Sequence, residues 1–184
     1  MYNCSNYGCD PLDAYVLNEC NEILLGGFDQ AILLECNHQI TDPSNATQVN
    51  AALANGTATL VTEASFSIEA PSAVTVDTLV ACQPPRTVNY TRTGMYKNQN
   101  VNPSNVEFHS PIFRGKVFGG LIIRMCSETD NGNGYVYWVD SSITFTGGLI
   151  GPANNTDLQR FEGTITWTAK TDPAMYNEPA GVFA

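Results

Sequence analysis

The side chains able to do chemistry in this chain are few. There are two histidines, His38 and His109, and six cysteines, Cys4, Cys9, Cys20, Cys36, Cys82 and Cys126. A histidine acting as general base needs a nucleophile or a second titratable group within hydrogen-bond reach. Both histidines stand in polar, loop-like stretches, "ECNHQITD" and "VEFHSPIF". The chain has no Gly-x-Ser-x-Gly elbow, no His-Glu-x-x-His and no phosphate loop. His38 and His109 are therefore expected at a surface or interface, and no catalytic or cofactor-binding residue is assigned.

Four cysteines fall within residues 4–36, so zinc is the first chemistry to test. Structural zinc sites bring ligands in close pairs, with about two to four residues between them, because one turn must aim two thiolates at the ion. Here Cys4 and Cys9 are separated by four residues, and the next intervals are ten and fifteen. That spacing assigns no metal. Asp130, with Asn131 and Asn133 beside glycines, lacks the EF-hand spacing and reads as a tight turn. Cys20, Cys36, Cys82 and Cys126 sit in or at the ends of apolar segments and are expected as small buried hydrophobes. Cys4 and Cys9 lie in a polar arm, where oxidation would cross-link one copy of the chain to another.

The elements that position these residues follow from composition and periodicity. A chain of 184 residues is most simply one domain, and only 14% of it is charged. Asn, Thr, Ser and Gly fill the gap, which suits a sheet surface better than a helical one. The formal charge of −10 argues against a nucleic-acid binder, which needs a basic patch. It permits a wall that DNA passes without sticking. No run reaches the roughly 20 apolar residues of a membrane span, and the opening "MYNCSNYGCD" shows no secretion signal. Five Asn-x-Ser/Thr sequons, at Asn3, Asn45, Asn55, Asn89 and Asn154, are what chance yields in a chain this rich in Asn and Thr.

Period-two alternation is clearest in "TATLVTEASFSIEA" and "FEGTITWTAK". In the first, Ala58, Leu60, Ala64, Phe66 and Ile68 share a face; in the second, Phe161, Ile165, Trp167 and Ala169 do. "DQAILLEC", "AVTVDTLVAC", "TVNYTRTGMY", "KVFGGLIIRMC" and "YVYWVDSSITFTGG" complete the strands. "KVFGGLIIRMC" is apolar on both faces and predicts cover on both sides, by another layer or a neighbouring subunit. "TDNGNGYV" reads as a hairpin turn. "DPSNATQVNAALANG" predicts a helix over about 44–55, capped by Ser44 or Asp42, with Val49, Ala52 and Leu53 as its stripe and Gly56 as its stop. "NPSNVEFHSPIFRG" reads as a second helical turn or an extended loop, with Pro111 as a break. The expectation is an all-β barrel or sandwich of about 7–8 mostly antiparallel strands with one short outer helix. An arm over 1–19, a body over 20–175 and a tail over 176–184 complete it.

Two parts of the chain carry a resemblance. "NECNEILLGGFDQAILLE" followed by "ITDPSNATQVNAALANGTA" looks like the opening of tailed-bacteriophage virion proteins. "FGGLIIRMCS", "VDSSITFTGG" and "DLQRFEGTITWTAKTDPAMYNEPAGVF" resemble tail tube (major tail) proteins. That resemblance implies a β-barrel or sandwich with an outer helix, found in the virion tail after synthesis in the bacterial cytoplasm. It implies homohexameric rings stacked into a tube, with DNA as non-specific cargo in the lumen. The implied partners are other virion proteins such as sheath, terminator or baseplate, with no membrane, no cofactor and no enzymatic activity. Six copies at −10 each would carry −60 around the channel. Glu63, Glu69 and Asp77, on a long hairpin expected over 57–82, are the candidate lumen-facing acids, and Cys4 and Cys9 the candidate intersubunit cross-link.

Two other readings stay open. One is a different virion component, a tail terminator, neck ring or capsid cement protein. The other is a secreted β-sandwich binding module for carbohydrate or protein, with Tyr135, Tyr137 and Trp138 as a platform; strand pairing instead draws Trp138 and Trp167 toward the core.

Overall fold

A computed structural model of the protein describes residues 30–76, 86–126, 134–151 and 159–183. The arm with Cys4 and Cys9, Cys20, Asp77, Cys82, the Asn-Gly turn at 129–133 and the side chain of Cys126 lie outside the described residues.

The alternating segments form two antiparallel sheets because each buries one face and leaves Thr and Ser on the other. The chain order is β1 (Ala31–Leu34), α1 (Ala46–Ala54), β2 (Ala58–Val61), β3 (Ala64–Ile68), β4 (Ser72–Val76) and β5 (Arg86–Asn98). It continues with α2 (Pro103–Phe113), β6 (Arg114–Phe118), β7 (Gly120–Cys126), β8 (Tyr135–Val139), β9 (Ile143–Ile150), β10 (Arg160–Ala169) and β11 (Ala174–Asn177). One sheet has the order β11-β8-β7-β1-β2, and the other, six-stranded, β3-β5-β10-β9-β6 with β4 also paired to β5. The fold is thus the expected all-β sandwich, built from more and shorter strands than the 7–8 expected and carrying two helices.

The strand count differs because single sequence runs are divided between the sheets. "TATLVTEASFSIEA" is β2 in one sheet and β3 in the other, with the chain turning at Glu63, whose φ is +56°. Parity is kept but its destination changes: Ala58 and Leu60 pack outside the five-stranded sheet, whereas Ala64, Phe66 and Ile68 pack between the sheets. "KVFGGLIIRMC" divides at Gly119 into β6 and β7. A Cβ on Gly119 would lie 2.8 Å from the Glu35 carbonyl oxygen, so only glycine lets the two backbones meet there. "YVYWVDSSITFTGG" divides in the same way into β8 and β9. Among the described residues of the hairpin expected over 57–82, no two strands pair with each other. β3 and β4 lie end to end along β5, pairing with Asn98–Gly94 and with Thr91–Arg86 respectively.

Two apolar layers result. Between the sheets lie Phe66, Tyr96, Phe118, Leu121, Ile123, Phe145, Phe161, Ile165 and Trp167. Behind the five-stranded sheet, Ile32, Leu34, Ile122 and Val136 meet Val49 and Ala52 of α1 together with Val182 and Phe183. The doubly apolar β7 is therefore covered on both faces within the chain, and residues 176–183 form part of the body instead of a free tail. The α1 stripe is as expected, and Gly56, with φ +72°, ends the helix. Its cap is Asn45, whose side chain accepts from the Thr47 and Gln48 amides, while Asp42 accepts from Ser44. Ser44 and Asp42 shape the turn before the helix. Cys36 also departs from expectation. β1 ends at Leu34, leaving Cys36 exposed in a turn with its thiol 3.5 Å from the Val117 carbonyl oxygen.

Burial ranks the positions. Phe145 is 1% exposed at the centre of the inter-sheet layer, and Val117 is 43% exposed on β6. Phe145→Ala should cost about 3–5 kcal/mol, whereas Val117→Ala should stay within about 0.5 kcal/mol of the parent. Urea unfolding of the two variants under one condition checks the contrast.

Candidate functional site

Two features stand out: a buried polar group under α2, and a bare sheet face bounded by open edges.

The helix α2 replaces the loop or single turn expected over 102–115. Asn102 caps it, accepting from the Asn105 amide, and Pro103 occupies the first turn, where a missing N–H costs nothing. Pro111 does not break it, because it sits in the last turn and the helix ends two residues later at Phe113. The helix closes one end of the sandwich over Gly163, where a Cβ would lie 2.5 Å from the Phe113 ring. Gly147 lets β9 meet β10 closely, since a Cβ there would lie 2.3 Å from the Glu162 carbonyl oxygen.

His109, expected at a surface or interface, is 2% exposed on the inner side of α2. Its ring stacks on Phe161 with centroids 4.0 Å apart and 7° between planes. Its Nδ1 lies 2.7 Å from the Asn105 carbonyl oxygen, which only accepts, so Nδ1 carries the proton. Nε2 is then the acceptor for the Tyr96 hydroxyl, 2.5 Å away. Burial holds the Tyr96 phenol well above its ordinary range, keeping it a donor, and pushes the His109 imidazolium form down against a weaker opposing effect of the Asn105 carbonyl. Both ring nitrogens are spent, and neither can serve a nucleophile. This is a strut between helix and sheet. The sequence signal for it was Asn102-Pro103 followed by Phe108, Ile112 and Phe113 at helical spacing, obscured by Pro111. His38 is half-buried in the turn after β1, with its Nδ1 unpartnered.

The outer face of the six-stranded sheet is a field of hydroxyls. Thr166 of β10 lies between Thr93 and Thr144, Thr164 between Met95 and Thr146, and Thr168 opposite Thr91. Ser65 and Ser67 of β3 extend the rows past Lys97 and Met95. Both helices pack elsewhere, so no described element covers this face. Its charges are locally paired: Glu162 accepts from Arg160 Nε at 2.6 Å and lies 3.9 Å from Lys97 Nζ. The Arg160 hydrogen bond, with Lys97 assisting, holds the Glu162 carboxyl below its usual range.

Of the candidate acids, Glu69 lies at the margin of this face, its carboxylate accepting from the Thr93 hydroxyl at 2.6 Å. Glu63 is exposed at the corner between the sheets. The two are on the same strand edge but are not brought into one cluster. Among the described residues, no group of three His, Cys, Asp or Glu side chains is placed to hold a metal ion, and no helix is long and apolar enough to cross a membrane. No family model, curated protein or solved structure matches the chain.

The His109 strut yields two outcomes. Its folded pKa is depressed, so its contribution is present above the ordinary histidine value near 6.5 and is lost as pH falls below it. The urea midpoint should drop from pH 7.5 to 5.5, and His109→Gln should flatten that dependence while lowering stability throughout. Tyr96→Phe removes the donor to Nε2 and should cost about 1–3 kcal/mol at pH 7.5.

Proposed function

We propose that the chain is a structural subunit of a bacteriophage tail tube, assembling as stacked hexameric rings around a channel for DNA. The observation that supports this best is the six-stranded sheet. It combines a bare hydroxyl face with a free edge on each side among the described residues: β3 and β4 pair only with β5, and β6 only with β9. Long open edges are a liability in a solitary protein and are usually bulged, charged or covered. Both edges are bulged, and β6 carries Arg114 and Lys116, but the exposed stretch Ser72–Thr75 of the opposite edge has no charge. Joining β6 of one copy to β3 and β4 of the next is a head-to-tail contact, which closes into a ring when the rotation allows. The sheets would then merge into one barrel with the threonine face toward the lumen.

Such a wall suits a polyanion passing through. Neutral hydroxyls dominate the face, its cations Arg160 and Lys97 stand beside Glu162, and the overall −10 per chain repels DNA beyond contact range. Glu69 would stand at the lumen side of each junction and Glu63 at its rim. The Cys4 and Cys9 arm would cross-link neighbouring subunits once the particle is oxidised. A ring that forms but does not stack would instead favour a tail terminator or neck component.

Light scattering on a sizing column, with electron microscopy of the same peak, tests the assembly. Hollow tubes or stacked six-fold rings are expected, with large species lost under reductant if Cys4 and Cys9 cross-link them. Val74→Lys, at the exposed edge of β4, should raise the critical concentration for assembly about tenfold without unfolding the monomer. A monomer unchanged by concentration and salt, together with no effect of Val74→Lys, would count against the proposal.

A further inference from the structure

The two open edges of the six-stranded sheet carry charges of opposite sign. β6 bears Arg114 and Lys116, both exposed. On the other edge Glu63 and Glu69 stand exposed on either side of β3. Lys116 is already engaged, with its Nζ 2.5 Å from the Glu35 carboxylate. Arg114 has no ion-pair partner among the described residues, and neither have Glu63 and Glu69. The Glu69 carboxylate accepts from a neutral donor, the Thr93 hydroxyl.

The strand register puts the two free charges on one face. Arg114 lies opposite Thr146, in a row that continues through Thr164 and Met95 to Ser67. The next row runs from Val117 through Thr144 and Thr166 to Thr93. Glu69 closes that row, its amide donating to the Thr93 carbonyl. Arg114 and Glu69 therefore stand at opposite margins of the hydroxyl face, one row apart, which is about 7 Å along a strand. Closing a sheet into a barrel staggers its register, so a row of one copy meets a neighbouring row of the next.

Charge also decides which edges can meet. A two-fold contact pairs an edge with itself, bringing Arg114 and Lys116 against their own copies, or Glu63 and Glu69 against theirs. Like charges set across an interface are penalised. A head-to-tail junction instead sets the basic edge against the acidic one. We infer that an ion pair between Arg114 of one copy and Glu69 of the next joins β6 to β3 across the junction and fixes its head-to-tail polarity. The partner surface is the acidic edge of a second copy of this chain. This pairing rests on the ring assembly proposed above and adds the contact that selects a ring over a two-fold dimer.

Both residues are exposed, so charge reversal should leave the urea midpoint unchanged. The full chain, Arg114→Glu, Glu69→Arg and the double variant are compared by light scattering for the concentration at which oligomers appear. The salt is held at about 0.1 M, where exposed charges still interact over roughly 10 Å. Each single reversal should raise that concentration about tenfold, and the double variant should return to within about threefold of the parent. An equal mixture of the two single variants should also recover, because each offers the other an opposite charge at both edges and an even-numbered ring closes by alternation. A parent that assembles while the double variant stays as impaired as the singles overturns the ion pair and leaves the ring proposal standing. A parent that forms no oligomer at any concentration overturns both.

Discussion

The structure depends on one short strand buried on both sides. Ala31, Ile32, Leu33 and Leu34 of β1 are each between 0% and 4% exposed, and they alternate between the two apolar layers. Ala31 and Leu33 face the six-stranded sheet; Ile32 and Leu34 face α1 and the C-terminal segment. An antiparallel sheet commonly keeps one face wet. Here that option is closed, because β1 and β7 at the sheet's centre have no polar side to offer. The α1 helix, Val182 and Phe183 are needed to complete the second layer, and so residues 182 and 183 belong to the body.

The opposite sheet solves the other half of the problem. Its inner face supplies Phe66, Phe145, Phe161, Ile165 and Trp167 to the shared core, and its outer face needs no cover because it is Thr, Ser and paired charge. Where the five-stranded sheet does not reach, α2 fills the gap, and Gly163 leaves room for its Phe113 ring against the strand. The His109–Tyr96 hydrogen bond and the His109–Phe161 stack fix the helix there without leaving an unpaired polar group at the imidazole.

Much of this was legible in the residues. The β10 alternation predicted the buried set Phe161, Ile165 and Trp167, and the double apolarity of "KVFGGLIIRMC" predicted cover on both faces. What periodicity cannot report is which sheet a residue faces. A period-two pattern runs unbroken through Glu63, yet the backbone turns there with φ +56° and hands the next strand to the other sheet. Gly119 hides a similar crossing, because a glycine pair within an apolar run looks like any weak strand interior. The apolar neighbours of Cys36 suggest a core position, but burial ends with the strand at Leu34.

The doubly buried β1 also sets a problem of order in time. Its pairing with β2 is local, but its other neighbour is β7, with Ala31 opposite Ile123. A strand apolar on both faces must therefore wait, unsatisfied on one edge, until about ninety further residues have joined it, a long-range closure of the kind that slows folding. During that interval the β1–β2 pair presents sticky surface on each side, the condition under which growing chains misassociate. Synthesis of this protein at high copy number would then place its greatest demand on chaperones early, before β7 and β8 exist to close the sheet.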